Sequence, residues 1–507
     1  MKNTATGAVL VAGTASGVGK STIVAGLCRS FARSGASVAP FKAQNMSNHA
    51  AVASDGGEIG RAQAMQALAA RVPASVHMNP ILIKPGPNQT SHVVVRGQEV
   101  GTATGFDLGS LNRRDIVLDA YRSVANTYGL VVAEGAGGAA EINLLNRDIV
   151  NLPFAAASGM ASILVVDIDR GGAFASAFGT VKILPDELRQ IIQGIVINSF
   201  RGDPAHLGDG MAQLAKMTGV PVLGVLPHLG PTPLLGVEDS LDVTSHPVNT
   251  DELPTLRVAV VALPHLANPS DFDPLVLEPS VALTWARRPA DVLGADLVVV
   301  PGSRATVQDL EWVKRSGIGE ALRATSAQVL GICGGYQMLG NTIDDQIESG
   351  QGRVLGLGLL DVDTVFTADK VVQRDEGTAH LNGTSVPVTG YQIRLGKPSL
   401  ATATDHMPLL QLSSGGEGAQ HRDAQVMGTS LHGIFDSDDA RRVLLTNAAR
   451  RAGAEFEPNP QPFAKQLDEQ HDRLADWVEE HLDVDQVATI AGSAADPDVL
   501  PGWPAAG

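Results

Sequence analysis

The sequence predicts two doubly wound α/β domains in succession, and three observations predict them. Short Val/Ile/Leu runs recur between longer Ala-rich stretches, the pattern of buried parallel strands alternating with helices. The series is interrupted once, at residues 228–255, by HLGPTPLLGVEDSLDVTSHPVNTDELPT, which is rich in Pro, Asp, Thr and Ser and has little periodicity. A length of 507 residues also exceeds what one core supports and suits two or three domains.

Taken in order, the first-half runs are AVLVAG (8–13), SVAPFKA (37–43), LVVAEGAGG (130–138), SILVVDID (162–169), GIVINSF (194–200) and PVLGVLP (221–227). The second series is RVAVVALP (257–264), LVVVPGS (297–303), VLGICGG (329–335), GYQIRLG (390–396) and VMGTSLHG (426–433). This places one domain at 1–230, a linker at 231–255 and a second domain at 256–450. From 451 the chain holds one helix, KQLDEQHDRLADWVEEHL, and then an Ala/Pro/Gly-rich end that reads as disordered.

Composition narrows the function. Apolar residues make up 44% but aromatics only 4%, so the cores are built from Ala, Val, Leu and Ile. A net charge of -17 excludes a nucleic-acid binder, since no basic surplus neutralises phosphates. Two cysteines exclude a disulfide scaffold and fit a reducing cytoplasm. No run reaches the roughly 18 uninterrupted apolar residues of a membrane span, so a cytoplasmic protein without a membrane partner is expected.

GTASGVGKST (13–22) follows the first strand run and precedes an amphipathic stretch. Small residues let successive N–H groups turn inward around phosphate oxygens, while Lys20 adds a point charge and the Ser21 hydroxyl can ligate Mg²⁺. Gly13, Thr14, Gly17, Val18, Gly19, Lys20, Ser21 and Thr22 are therefore the candidate nucleotide-binding residues. Five residues rather than four separate Gly13 from Gly19, a longer form that resembles the loop of dethiobiotin synthetase. Mg²⁺ also needs carboxylates. Glu134 sits at a strand's carboxyl end, where open α/β sheets bind ligands. Asp55, Glu58, Glu141, Asp148, Asp167 and Asp169 lie in nearby polar segments, and Ser21, Glu134 and Asp55 are the candidate metal ligands. Lys42 belongs with the same strand-end cluster. Asn198 is placed to read an adenine edge or simply to close a turn.

VLGICGGYQM (329–338) runs from a strand into a turn at Gly331, Cys333 and Gly335. That is the geometry of a nucleophile elbow, in which small neighbours permit strained dihedrals and expose the thiol. Backbone N–H groups at the following helix start can hold an oxyanion. A cysteine nucleophile needs a base, and TSLHGIF supplies His432 after another strand. In PGSRAT (301–306), Gly302 or Ser303 could donate further N–H groups. Cys28, on the apolar face of the first helix, reads as a small buried hydrophobe.

Together these residues carry a resemblance. An ATP-binding domain of the dethiobiotin-synthetase type followed by a class I (triad-type) glutamine amidotransferase domain is similar to the cobyrinic/cobyric acid amidotransferase family. KAQNMSNHA, SDGGEIGRAQ, VVAEGAGG, EINL, DIVN, DIDRGGAFAS, PGSR, GICGGYQMLG, GYQIRLG and LHGIF resemble its cobyric acid branch. The resemblance covers residue 8 to about 480. It implies ATP- and glutamine-dependent amidation of the b, d, e and g carboxylates of adenosylcobyrinic acid a,c-diamide, giving adenosylcobyric acid in cobalamin biosynthesis. Its implied partners are the corrinoid, ATP, Mg²⁺ and glutamine as ammonia donor. Cys333 and His432 would release ammonia, and Asp148 matches a position near the corrinoid, where it would help deprotonate ammonia. Amidotransferases of this class carry Glu two places after the histidine. Here that place is Ile434, so a Cys333–His432 dyad is expected and the acid that orients His432 stays open. The sister a,c-diamide synthase is the nearest alternative. A partition-type ATPase would use the phosphate loop but leave Cys333 and His432 without a task.

Overall fold

The computed structural model describes residues 5–86, 90–104, 113–230, 256–400, 406–421 and 423–493. The linker expected at 231–255 and the terminal stretch from 494 fall outside them.

The first half is built on a six-stranded parallel sheet. Its order is Val222–Pro227, Ile192–Phe200, Ala161–Asp167, Gly7–Gly13, Leu130–Glu134 and Val38–Phe41, so all six apolar runs of the first half became neighbours in one sheet. The central strand Gly7–Gly13 shows why its sequence is continuously apolar. Leu10 and Ala12 face one core while Val9 and Val11 face another, and both faces are covered. The strand order reverses beside this strand, which puts the phosphate loop at the switch point. A separate four-stranded sheet (Gln44–Met46, Ile81–Pro85, Thr90–Val95, Gln98–Thr104) has no counterpart in the sequence reading.

The second half carries a seven-stranded sheet ordered Val281–Ala286, Leu256–Val261, Leu297–Val300, Gln328–Ile332, Val426–Thr429, Ala419–His421 and His406–Met407. Its first five strands are parallel, and the last two are added by antiparallel pairing, each to the strand before it. One expectation fails here. GYQIRLG is not a strand of this sheet but part of Thr384–Leu400, which pairs antiparallel with Val362–Leu381 in a long hairpin. Alternating buried and exposed residues along the hairpin give it one packed face, a pattern too weak in a seven-residue run to separate from a parallel strand.

The last described helices return to the first one. Helix Phe463–His481 lies along the first helix, Lys20–Arg33, so close that a Cβ on Gly26 would stand 2.8 Å from a Val478 methyl. Buried Arg29 bridges Asp468 and Asp472, Arg33 reaches Asp476 at 2.6 Å, and the Trp477 indole donates to the Pro227 carbonyl at 3.1 Å. A second helix absent from the sequence reading, Val484–Gly492, completes this layer with Val487 and Ile490. Cys28 lies in the same core, fully buried, where loss of water pushes its thiol pKa up.

Candidate active sites

Strand Gln328–Ile332 ends in Cys333, which adopts φ 51 and ψ -111, a conformation that costs a non-glycine residue energy. The flanking glycines are compulsory: a Cβ on Gly335 would lie 1.9 Å from the Val300 carbonyl oxygen, and one on Gly331 would lie 2.7 Å from the Tyr336 backbone. The strained turn is thereby held between the sheet and the helix Gly334–Leu339. The thiol donates to the Ile393 carbonyl at 3.7 Å.

His432 meets Cys333 side chain to side chain. Its Nδ1 lies 2.6 Å from Asp271 Oδ2, and the Gly433 N–H donates to Asp271 Oδ1 at 3.1 Å. Burial works to lower the imidazole pKa, but electrostatic attraction and hydrogen bonding from Asp271 and Cys333 outweigh it and raise the pKa to about 10. The arrangement is therefore a Cys–His–Asp triad in geometry, with the carboxylate 161 residues upstream of the imidazole. Asp271 was not singled out in the sequence; the only signal for it was the need for some acid once Ile434 had replaced Glu. It sits in the short 3-10 turn Pro269–Phe272, entered through left-handed Asn268 (φ 50). Arg61, from the first half, brings positive charge toward Asp271, Asp273, Asp436 and Tyr391.

The Gly302–Ser303 loop stands against Cys333 and His432. A Cβ on Gly302 would lie 3.1 Å from His432 Cε1, and one on Gly334 would lie 2.9 Å from the Ser303 nitrogen. The pocket that opens above Cys333 is lined by Arg304, Gln337, Glu348 and Arg394 from the second half and by His92 and Glu99 from the first. Burial raises the Glu348 carboxyl to about 7, against the lowering pull of Arg304.

At the phosphate loop, Gly17 (φ 68) and Gly19 (φ 86) take left-handed turns that expose backbone N–H groups. Thr14 donates its N–H to the Val165 carbonyl at 2.9 Å, and Lys20 Nζ folds back onto the Ala15 and Gly137 carbonyls at 2.9 and 3.1 Å. Val18 and Thr22 pack beneath the loop, buried. The Asn198 amide donates to the Val18 carbonyl at 2.8 Å and fills the space a Cβ on Gly19 would need, so here it braces the loop.

Glu134 is the hub of this site. Its Oε1 accepts from Ser21 Oγ at 2.8 Å and Lys42 Nζ at 2.7 Å, and its Oε2 accepts from Gln66 at 2.6 Å. Gln66 was missed because a helical glutamine carries no motif signal. Among the described residues no group of three or more His, Cys, Asp or Glu could hold a metal by itself. A hydroxyl and one carboxylate are nevertheless hard oxygen donors of the kind Mg²⁺ takes when phosphates and water supply the rest.

Three other carboxylates go elsewhere. Asp55 is exposed on a turn, where it accepts from the Ser75 hydroxyl at 2.6 Å and the Val76 N–H at 3.1 Å; the structure does not bring it to Ser21 and Glu134. Short polar loops read alike in sequence whether they cap a turn or hold an ion. Buried Glu58 pairs with Lys84 and with Lys370 of the second half, and these charges outweigh its burial to hold it at about 2. Asp148 accepts the Val150 and Asn151 N–H groups at 2.7 and 2.9 Å, and burial shifts its pKa upward. Through Asn151, which exchanges hydrogen bonds with Ala136, it lies one residue from the loop that follows Glu134.

Comparison with known proteins fits this geometry. Residues 9–230 match the CobQ/CobB/MinD/ParA nucleotide binding domain and residues 257–440 the CobB/CobQ-like glutamine amidotransferase domain. A protein of Rhodococcus jostii named cobyric acid synthase is 45% identical over 98% of this chain and 97% of its own length. Proteins of the same name from Mycolicibacterium paratuberculosis and Streptomyces coelicolor are 46% and 44% identical over 95% and 98% of this chain. The chain belongs to the cobyric acid synthase family. The two matched domains account for two sites in one chain, since each half carries its own cluster. No described helix is long and apolar enough to cross a membrane.

Proposed function

We propose that the protein is a glutamine-dependent amide ligase that converts adenosylcobyrinic acid a,c-diamide to adenosylcobyric acid by amidating the b, d, e and g carboxylates. The observation that carries this reading is the presence, in a chain of this family, of a Cys–His–Asp triad together with a phosphate loop.

Residues 256–450 release ammonia. His432, whose raised pKa keeps it protonated, holds the thiol's proton; Cys333 Sγ attacks the glutamine side-chain carbonyl carbon as the thiolate, and His432 gives that proton to the departing ammonia. Asp271 holds Nδ1–H and stabilises the imidazolium. N–H groups from the Gly302–Ser303 loop and the helix start at Gly334 stabilise the oxyanion. Water then hydrolyses the thioester. Arg304, Arg394 and Glu348 supply the opposite charges that an amino acid's carboxylate and ammonium require.

Residues 1–230 use that ammonia. The loop amides and Lys20 orient ATP so that its terminal phosphate transfers to a corrinoid carboxylate oxygen with release of ADP; ammonia then attacks the acyl phosphate carbon and phosphate leaves, giving the amide. When bound, Mg²⁺ would neutralise phosphate charge, with Ser21 and Glu134 as its protein ligands and Lys42 beside them. Asp148 helps deprotonate the attacking ammonia, and its raised pKa suits a group that exchanges protons.

The test is mass spectrometry of the a,c-diamide incubated with enzyme, ATP, Mg²⁺ and glutamine. Each amidation replaces a hydroxyl by an amine and lowers the mass by one dalton. Four successive steps support the reading, whereas an unchanged a,c-diamide, with amidation only of cobyrinic acid itself, would assign the sister reaction instead.

A further inference from the structure

Ala50, in the first half, touches the supports of both triad partners. Its N–H donates to Asn268 Oδ1 at 3.0 Å, and its carbonyl accepts from the Tyr391 hydroxyl at 3.3 Å. Asn268 accepts the Asp271 N–H at 3.0 Å and so begins the turn that aims the acid. Tyr391 lies flat on the His432 ring, with centroids 5.2 Å apart and planes 17° off parallel. The two residues also exchange backbone hydrogen bonds of 3.1 and 2.8 Å. Two residues on, Ile393 accepts the Cys333 thiol. Tyr391 and Ile393 pack with Ala50, Val52, Leu82 and Val94 in one apolar cluster shared by both halves.

The stretch that supplies Ala50 is tied to the other site at both ends. Lys42 holds one oxygen of Glu134 and Gln66 the other. Oε1 already accepts from both Lys42 and Ser21, so a ligand that takes this oxygen competes with them, and the chain between Lys42 and Gln66 carries the contact with the triad.

We propose that Tyr391 and Asn268 are positioning residues through which Ala50, carried on the Lys42–Gln66 segment, holds His432 and Asp271 in working geometry and links glutamine hydrolysis to the state of the phosphate site. This rests on the triad being the glutaminase. A base displaced by a fraction of an ångström loses rate without losing substrate, and two sites that bias one element respond to each other.

The experiment measures glutamine hydrolysis by the full chain, with and without ATP, in Tyr391→Phe, Asn268→Gly and the double variant. Phe keeps the ring on His432, and Gly keeps the left-handed turn. The expected result is a kcat lower by about tenfold and loss of the ATP response. The KM for glutamine stays unchanged because neither residue lines the pocket above Cys333. Amidation driven by added ammonia stays at the wild-type rate. A double variant with wild-type kcat and ATP response overturns the proposal, and so does an equal loss in the ammonia-driven reaction, which would mean a general folding defect. Failure of the underlying reading shows separately, as glutamine hydrolysis that survives Cys333→Ser.

Discussion

The two sites are built on opposite plans. At the triad each group is locked before any substrate arrives: Cys333 by compulsory glycines, His432 by a carboxylate and a stacked ring, Asp271 by the Gly433 N–H on one oxygen and the imidazole on the other. At the phosphate loop a single carboxylate, Glu134, gathers a lysine, a hydroxyl and an amide, and Lys20 rests on backbone carbonyls. A nucleophile must be aimed in advance, since misplacement costs rate directly. A site for a highly charged ligand must instead keep its own charges paired until the ligand takes their partners.

The contrast breaks most sharply with Cys333→Ser. Glutamine-driven amidation should fall by about 10⁴-fold or more while ammonia-driven amidation survives, as corrinoid product analysis would show; retained use of glutamine would refute the triad. Asp271→Asn comes next. It keeps the shape but leaves the imidazolium unsupported, so kcat for glutamine should drop by roughly 10²–10⁴ with KM little changed in steady-state assays. Glu134→Gln tests the other plan. Both glutamine- and ammonia-driven amidation should fall by about 10–100-fold, whereas glutamine hydrolysis without ATP should continue.

The smallest effect concerns stability at the docked C-terminal helix. Buried His471 is held down at about 4, first by burial and then by Arg29. Its unfolded pKa is near 6.5, so the unfolded chain binds the proton first on acidification. Its contribution is fully present above pH 6.5 and is lost as pH falls toward about 4. Urea unfolding at stepped pH should show that slope in the wild type and a flatter one in His471→Leu; equal slopes would discount the residue.

How much of this was legible follows from where the signals lie. Cys333, His432 and the phosphate loop each sit where a strand meets a turn, and local sequence carries that pattern. The six strands of the first sheet were legible for the same reason, being apolar on both faces. Asp271 and Gln66 act only through partners far away in the chain, and Asp55 and Glu58 look like ligands in sequence but are spent on a turn and on an interdomain ion pair. GYQIRLG shows the other limit. A short apolar run states that a strand exists but not which sheet receives it.

The return of the last helices to the first one has a consequence for biosynthesis. Val9, Val11, Ile23, Val24 and Leu27 share a core with Leu474, Val478, Val487 and Ile490, so that layer stays uncovered while the ribosome makes the entire amidotransferase domain. At about 5–20 residues per second, the open layer must be protected for some tens of seconds. The first domain to emerge is therefore the last to close, and chaperone dependence should track the terminal two helices rather than the size of the chain.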